Sequence, residues 1–299
     1  MFERFESFAV EIPADPDGVR LAGRRSRPEG RPPLLLLHGH PETHLIWHRV
    51  ADRLAEEFDV VACDLRGYGS SSRPGGGSDH AAYAKRTMAR DVLAVMRHFG
   101  HERFAVAAHD RGARVAARLT LDEPGAVSAA VFLDIAPTLA MYERTDRAFA
   151  HAYWHWFFLT TPAPMAERLI AGDPRAYVEA VLSGRHAGLE PFPPEVLDAY
   201  VDALTGPNAA HGMCEDYRAA ATIDLEHDRA DLAAGHRTDV PLRVLWGRHG
   251  IIGRFYDPVA EWSRYATNVT GRNIDCGHYL PEEAPAEVLA EIREHLASH

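Results

Sequence analysis

Asp110 lies at the centre of Ala108-His109-Asp110-Arg111-Gly112, directly after the apolar run Phe104-Ala105-Val106-Ala107. Small residues two positions either side of a polar one, after such a run, describe a tight strand-to-helix turn that lifts the central side chain clear of a sheet. A carboxylate there sits at a helix N-terminus, where free N–H groups and the macrodipole favour negative charge, and the neighbouring guanidinium groups of Arg111 and Arg114 favour it further. Asp110 is therefore expected to be fully ionised at neutral pH and able to attack carbon. Arg111 and Arg114, three apart on one helix, fall near one face and can hold a substrate carboxylate by charge-assisted hydrogen bonds while its α-carbon meets Asp110. Taken singly, Asp110 could cap an ordinary helix and either arginine could belong to an exposed basic face; side by side they describe a site.

Hydrolases built on this turn place nucleophile, acid and histidine in that order along the chain. His278, in Asp275-Cys276-Gly277-His278-Tyr279-Leu280, follows the last strand candidate and precedes the helix opened by Pro281, which makes it the expected base. The usual acid position, a few residues after Leu245-Trp246-Gly247, reads Arg248-His249-Gly250, with no carboxylate until Asp257. Asp134, closing the run Val131-Phe132-Leu133, can reach the same histidine from the preceding strand, so Asp134 is assigned as its partner with Asp257 as the fallback. His38-Gly39-His40-Pro41 follows another strand candidate, and its backbone N–H at His40, with that of Arg111, is expected to form an oxyanion hole. His38 and His40, like His151 and His155 at i,i+4, lack a suitably placed third ligand, so no metal is expected. No cofactor is needed by side-chain chemistry of this kind.

The elements that must position these residues are legible as short apolar runs alternating with helical periodicity, the pattern of an α/β fold with a mostly parallel sheet and helices on both faces. Strand candidates are 34–37, 60–64, 104–108, 129–133, 242–246 and 273–274. Residues 137–228 differ: Trp154, Trp156, Phe157 and Phe158 cluster, prolines recur, and helical patterns replace strands. This predicts a core of 1–136 and 229–299 with a helical cap of 137–228 inserted in it. Pro162-Ala163-Pro164 and Pro191-Phe192-Pro193-Pro194 should break the cap into short helices. Gly75-Gly76-Gly77-Ser78 reads as a mobile surface loop.

Composition narrows the partners. Lys and Arg number 32 against 43 Asp and Glu, a net charge of -11, which argues against nucleic acid or an anionic membrane. An anionic substrate must then be drawn by local positive charge. The N-terminus has no signal-peptide pattern, and no apolar run approaches the roughly 20 residues of a membrane span. Cys63, Cys214 and Cys276 are odd in number and far apart, and read as reduced thiols of a cytoplasmic protein.

With these residues in place, the chain resembles the fluoroacetate dehalogenases, a haloacetate branch of the α/β-hydrolase superfamily. The resemblance runs through His38-Gly39-His40-Pro41-Glu42-Thr43, His109-Asp110-Arg111-Gly112-Ala113-Arg114, Leu133-Asp134-Ile135-Ala136-Pro137-Thr138, Tyr153-Trp154-His155-Trp156, Cys214-Glu215-Asp216-Tyr217-Arg218-Ala219 and Gly277-His278-Tyr279-Leu280-Pro281-Glu282-Glu283. It implies an α/β-hydrolase fold, hydrolytic dehalogenation of short 2-haloacids, and a homodimer. It also implies that His155, Trp156 and Tyr217 bind the departing halide, which suits an imidazole, an indole N–H and a phenol; on pattern alone His155-Trp156 would read as cap core. The sequence departs from the family in having His40 where Phe is common and Trp154 where Tyr is common.

Two other functions fit parts of the pattern. An epoxide hydrolase shares the Asp nucleophile, the His-Gly-x-Pro loop and the late histidine, but two cap tyrosines usually protonate the epoxide; here Tyr217 matches one and Trp156 occupies the other place. A non-catalytic hydrolase-fold binder of small acids would be expected to have lost a triad member, and this chain keeps all three.

Overall fold

The protein was examined as a computed structural model, which describes every residue except 14, 16, 28, 29 and 207. Its strands are β1 (Phe5–Glu11), β2 (Arg20–Ser26), β3 (Pro33–Leu37), β4 (Asp59–Cys63), β5 (Phe104–His109), β6 (Val127–Leu133), β7 (Leu242–Gly247) and β8 (Val269–Ile274). Among the described residues they form one eight-stranded sheet in the order β1-β2-β4-β3-β5-β6-β7-β8. β1 and β2 pair antiparallel, as do β2 and β4, and every other pairing is parallel. All of β4 and β5 is buried, as expected of central parallel strands covered on both faces.

Strand alternation divides the interior in two. Leu35, Leu37, Val61, Val106 and Ala108 face a core shared with Val92 and Met96 of the helix Lys85–His98 and with Val115 and Leu119 of the helix Asp110–Asp122. Leu34, Leu36, Val60, Ala105 and Ala107 face the opposite core, closed by Val288 and Ile292 of the helix Pro285–Ala297. Helices thus cover both faces. The first core continues without a break into Phe149, Trp156, Tyr200 and Tyr217, so the helices between β6 and β7 share its packing.

Those helices run from Thr138–Glu143 to Ile223–Ala234. Pro162 to Pro164 separates Trp154–Leu159 from Met165–Gly172, and Pro194 opens Pro194–Asp202 at the position where its missing N–H costs least. The expected boundary between residues 228 and 229 falls inside the single helix Ile223–Ala234, whose Asp231 is ion-paired to Arg118 at 2.5 Å. None of the described helices is long and apolar enough to cross a membrane.

Three local features went unread in the sequence. The β1–β2 hairpin is an edge element: β1 alternates imperfectly, and Arg20, Arg24 and Arg25 of β2 mask its strand character. Gly23 of β2 is required by packing, since a Cβ there would lie 2.2 Å from the Ala62 carbonyl oxygen. Gly76 abuts Glu215, whose Oε2 lies 1.6 Å from where its Cβ would be, so this glycine permits close approach rather than serving only as a free surface link.

The turn carrying Asp110 depends on another close approach. Gly112 N–H donates to the His38 carbonyl at 2.8 Å, and a Cβ at Gly112 would stand 2.5 Å from that oxygen and 2.6 Å from Leu37 Cβ. Alanine is the better helix former by about 1 kcal/mol, yet overpacking of this kind costs about 1–3 kcal/mol. Gly112→Ala should therefore lower the thermal midpoint; an unchanged or raised midpoint would mean that the helix can retreat from β3.

Candidate active site

The buried Asp110 holds a φ of +42°, a conformation that L-residues rarely adopt, while His109 before it remains extended. Such a residue stores strain of order 1–3 kcal/mol, held by its surroundings. Gly39 is part of that hold, because a Cβ on it would be 2.6 Å from Asp110 Cβ. The His40 backbone N–H donates to Asp110 Oδ1 at 3.1 Å. Burial pushes the Asp110 pKa up, but His278, Arg114, His109 and Arg111 together outweigh it and hold the carboxyl well below the usual range.

His278 Nδ1 and Asp134 Oδ2 are 2.6 Å apart, and the Gly247 N–H donates to Asp134 Oδ1 at 2.9 Å. Asp134 turns sharply off β6 with a φ of +49°. Gly250, the residue that leaves the later acid position empty, stands beside it: a Cβ there would come 3.3 Å from Asp134 Oδ1. Asp257 lies elsewhere, capping Pro258–Trp262 through the Ala260 N–H at 3.1 Å. The carboxylate hydrogen-bonded to His278 is therefore that of Asp134.

Next to Asp110 is a buried pair, His109 and Glu42, that no local pattern in the sequence marks. His109 Nδ1 lies 3.0 Å from Glu42 Oε2, and its Nε2 lies 2.9 Å from the His278 carbonyl oxygen. Both neighbours only accept, so both ring nitrogens carry protons. Burial opposes that charge, but Glu42 outweighs it and raises His109 to about 9. Glu42 Oε2 also accepts the Gly39 N–H at 2.9 Å. One buried ion pair thus ties the His38–Pro41 loop, β5 and the His278 loop together.

Both arginines are buried and only partly engaged. Arg111 grips Asp216 through Nε to Oδ2 at 2.7 Å and through Nη2 to Oδ1 at 2.9 Å, leaving Nη1 without a partner. Asp216 is further held by Lys85 and by the Tyr68 hydroxyl. Arg114 donates to the Ala136 carbonyl at 3.1 Å and to Thr138 Oγ1 at 2.8 Å, and its Nε has no partner. Its neighbouring charges are Arg111 and Asp110, and burial, followed by Arg111, pulls its pKa down. A buried guanidinium with so little compensation is a place for an anion.

The three cap residues gather against this pair. The Arg111 guanidinium lies 4.1 Å over the Tyr217 ring and that of Arg114 lies 5.0 Å from the Trp156 ring centre. Trp156 and Tyr217 are 6.0 Å apart, and His155 and Tyr217 are 5.9 Å apart. Trp156 Nε1 and the Tyr217 hydroxyl are buried with no partner in the protein. His155 is kept neutral by burial and by Arg185. Arg185 itself lies 4.9 Å over the Tyr153 ring; Tyr153, Tyr279, Asp134 and Asp110 outweigh its burial and preserve its charge. Nothing in its local sequence marks Arg185, which stands on an irregular segment between helices. Among the described residues, no His, Cys, Asp and Glu side chains gather in a way that could hold a metal ion.

The α/β-hydrolase fold model matches residues 32–252. The chain is 41% identical to a fluoroacetate dehalogenase of Burkholderia sp., over 99% of this chain and 95% of that protein. It is 33% identical to a soluble epoxide hydrolase of Corynebacterium sp. strain C12, over 86% and 87%. The crystal structure of ALR0039 from Nostoc sp. PCC 7120 superposes with a TM-score of 0.94 at 47% identity, covering 99% of both chains. The sheet order, the turn at Asp110 and a likeness that spans the whole chain lead to one assignment: the chain belongs to the fluoroacetate dehalogenase family of the α/β-hydrolase superfamily.

Proposed function

We propose that the protein hydrolyses short 2-haloacids such as fluoroacetate or chloroacetate to the 2-hydroxy acid and halide. The observation that carries this reading is a set of buried donors without a protein partner, on side chains packed against one another beside the turn of an ionised carboxylate: Arg111 Nη1, Arg114 Nε, Trp156 Nε1 and the Tyr217 hydroxyl. A substrate carboxylate on the arginines and a halogen against His155, Trp156 and Tyr217 would satisfy them together.

In this reading Asp110 Oδ2 attacks the α-carbon as the carbon–halogen bond breaks, and the bonding pair leaves with the halide. Oδ1 becomes the carbonyl oxygen of an aspartyl ester, held by the His40 N–H and by that of Arg111 in the first helical turn. His278, oriented by Asp134, takes a proton from water, which adds to the ester carbonyl; collapse expels the 2-hydroxy acid and restores Asp110. The residues need no cofactor for these steps. Three free, buried cysteines suit the reducing cytoplasm proposed as its compartment, and a homodimer is proposed from the family resemblance.

Epoxide hydrolysis is the second reading, favoured by the Corynebacterium relative and by the buried hydroxyls of Tyr142 and Tyr217, which have no protein partner and whose rings flank Trp156. Trp156 argues against it, because an indole N–H donates a hydrogen bond but cannot protonate an alkoxide at neutral pH.

Incubating the protein with fluoroacetate, chloroacetate and styrene oxide separates the two readings: halide should appear from the acids and no diol from the epoxide. Diol without halide would reverse the assignment. His278→Asn should release one halide per site and then stall as the ester. Because Arg114, His109 and Arg111 also depress Asp110, that burst should be flat from about pH 5 to about pH 9; an acid limb within this range would mean that Asp110 must lose a proton first. Arg114→Gln should raise KM for haloacetates at least ten-fold, from about 1.5–3 kcal/mol for a hydrogen bond to charge, whereas an unchanged KM would remove Arg114 from carboxylate binding.

A further inference from the structure

His40 is joined to the nucleophile by its backbone and to the cap aromatics by its ring. We propose that its Nδ1–H is a fourth hydrogen-bond donor to the departing halide, beside His155, Trp156 and Tyr217; the assignment rests on the haloacid reading. The backbone N–H reaches Asp110 Oδ1 at 3.1 Å. The ring lies parallel to His155, 5.6 Å away with 4° between planes, and meets Tyr217 edge-on at 5.2 Å. Two of its ring neighbours are thus members of the halide set.

The proton can be placed by counting partners. His40 Nε2 lies 2.9 Å from the Tyr177 hydroxyl, and Nδ1 is buried with no partner in the protein. Burial is the main reason that the ring stays neutral, pushing its pKa down to about 3, so one nitrogen only carries hydrogen. If Nε2 held the proton it would donate to the Tyr177 oxygen, stranding both the Tyr177 hydrogen and the bare Nδ1. If Nδ1 holds it, Tyr177 donates to Nε2 and a single group, Nδ1–H, is left over. The second arrangement strands one polar group instead of two, and each stranded group is costly in a buried site. The surplus donor then stands beside the place where halide charge develops. No proton moves: the carbon–halogen pair leaves with the halide and His40 donates a hydrogen bond to it. Fluoride, the poorest leaving group and the strongest acceptor among the halides, gains most.

The test uses the full-length enzyme with nitrogen-labelled histidine. Heteronuclear spectra should show His40 protonated at Nδ1 and bare at Nε2, with the Nδ1 resonance shifting on addition of chloride. His40→Phe, which keeps the backbone N–H, should lower kcat for fluoroacetate roughly ten-fold more than for chloroacetate, the scale of one lost donor to developing charge. Tyr177→Phe releases the tautomer and should give a smaller loss of the same sign. Equal slowing with both substrates, no loss in Tyr177→Phe, or a proton on Nε2 would overturn the assignment. If wild-type enzyme frees no halide from either acid, the haloacid reading fails by itself; the tautomer and the chloride response still judge His40.

Discussion

A buried carboxylate that stays ionised governs this structure. Removing such a group from water costs several kcal/mol even after relaxation, so it persists only among hydrogen bonds and opposite charges. Asp110 obtains them from the His40 N–H, His278, Arg114, His109 and Arg111. His109, Arg111 and Arg114 are themselves buried, and the need for compensation propagates outward. His109 is answered by Glu42, and Arg111 by Asp216, which Lys85 and Tyr68 hold in turn. Arg114 has no carboxylate hydrogen-bonded to it: its donors meet a carbonyl, a hydroxyl and the Met141 sulfur, and the anion that answers its charge is Asp110 itself. The proposed preference for haloacids rests on that arrangement, since such a substrate would bring a further anion to Arg111 and Arg114.

The parts of this arrangement legible in the sequence were those set by local chain geometry. The turn at Asp110 follows from Ala108 and Gly112 around it. The identity of the acid followed from a vacancy, because the stretch after β7 offers no carboxylate until Asp257, which caps a helix instead. What could not be read was pairing across long separations. Glu42 and His109 are 67 residues apart, and Arg111 and Asp216 are 105 apart, so no periodicity or spacing links them. The β1–β2 hairpin was hidden by the charged residues that an edge strand tolerates. His155-Trp156 reads as core on pattern because both residues are in fact buried; only the resemblance suggested another use, and the Trp156 N–H without a protein partner is the observation that the proposed use draws on.

Stability and chemistry pull against each other here. The positive φ of Asp110 and of Asp134 and the crowded glycines at 39 and 112 are unfavourable in themselves. They are tolerated because two continuous hydrophobic cores grip the elements that carry them, one running unbroken from the sheet into the helices above Asp110. The turn cannot relax without separating helix Asp110–Asp122 from β3.

The central claim, that Asp110 itself attacks carbon, is tested most directly by a single turnover in heavy-oxygen water with enzyme in excess over chloroacetate. An ester route predicts that the first product carries light oxygen from Asp110 and that the heavy atom appears in the Asp110 peptide by mass spectrometry. Heavy oxygen in the first product, with Asp110 unlabelled, would mean that water attacks the substrate directly and would contradict the account.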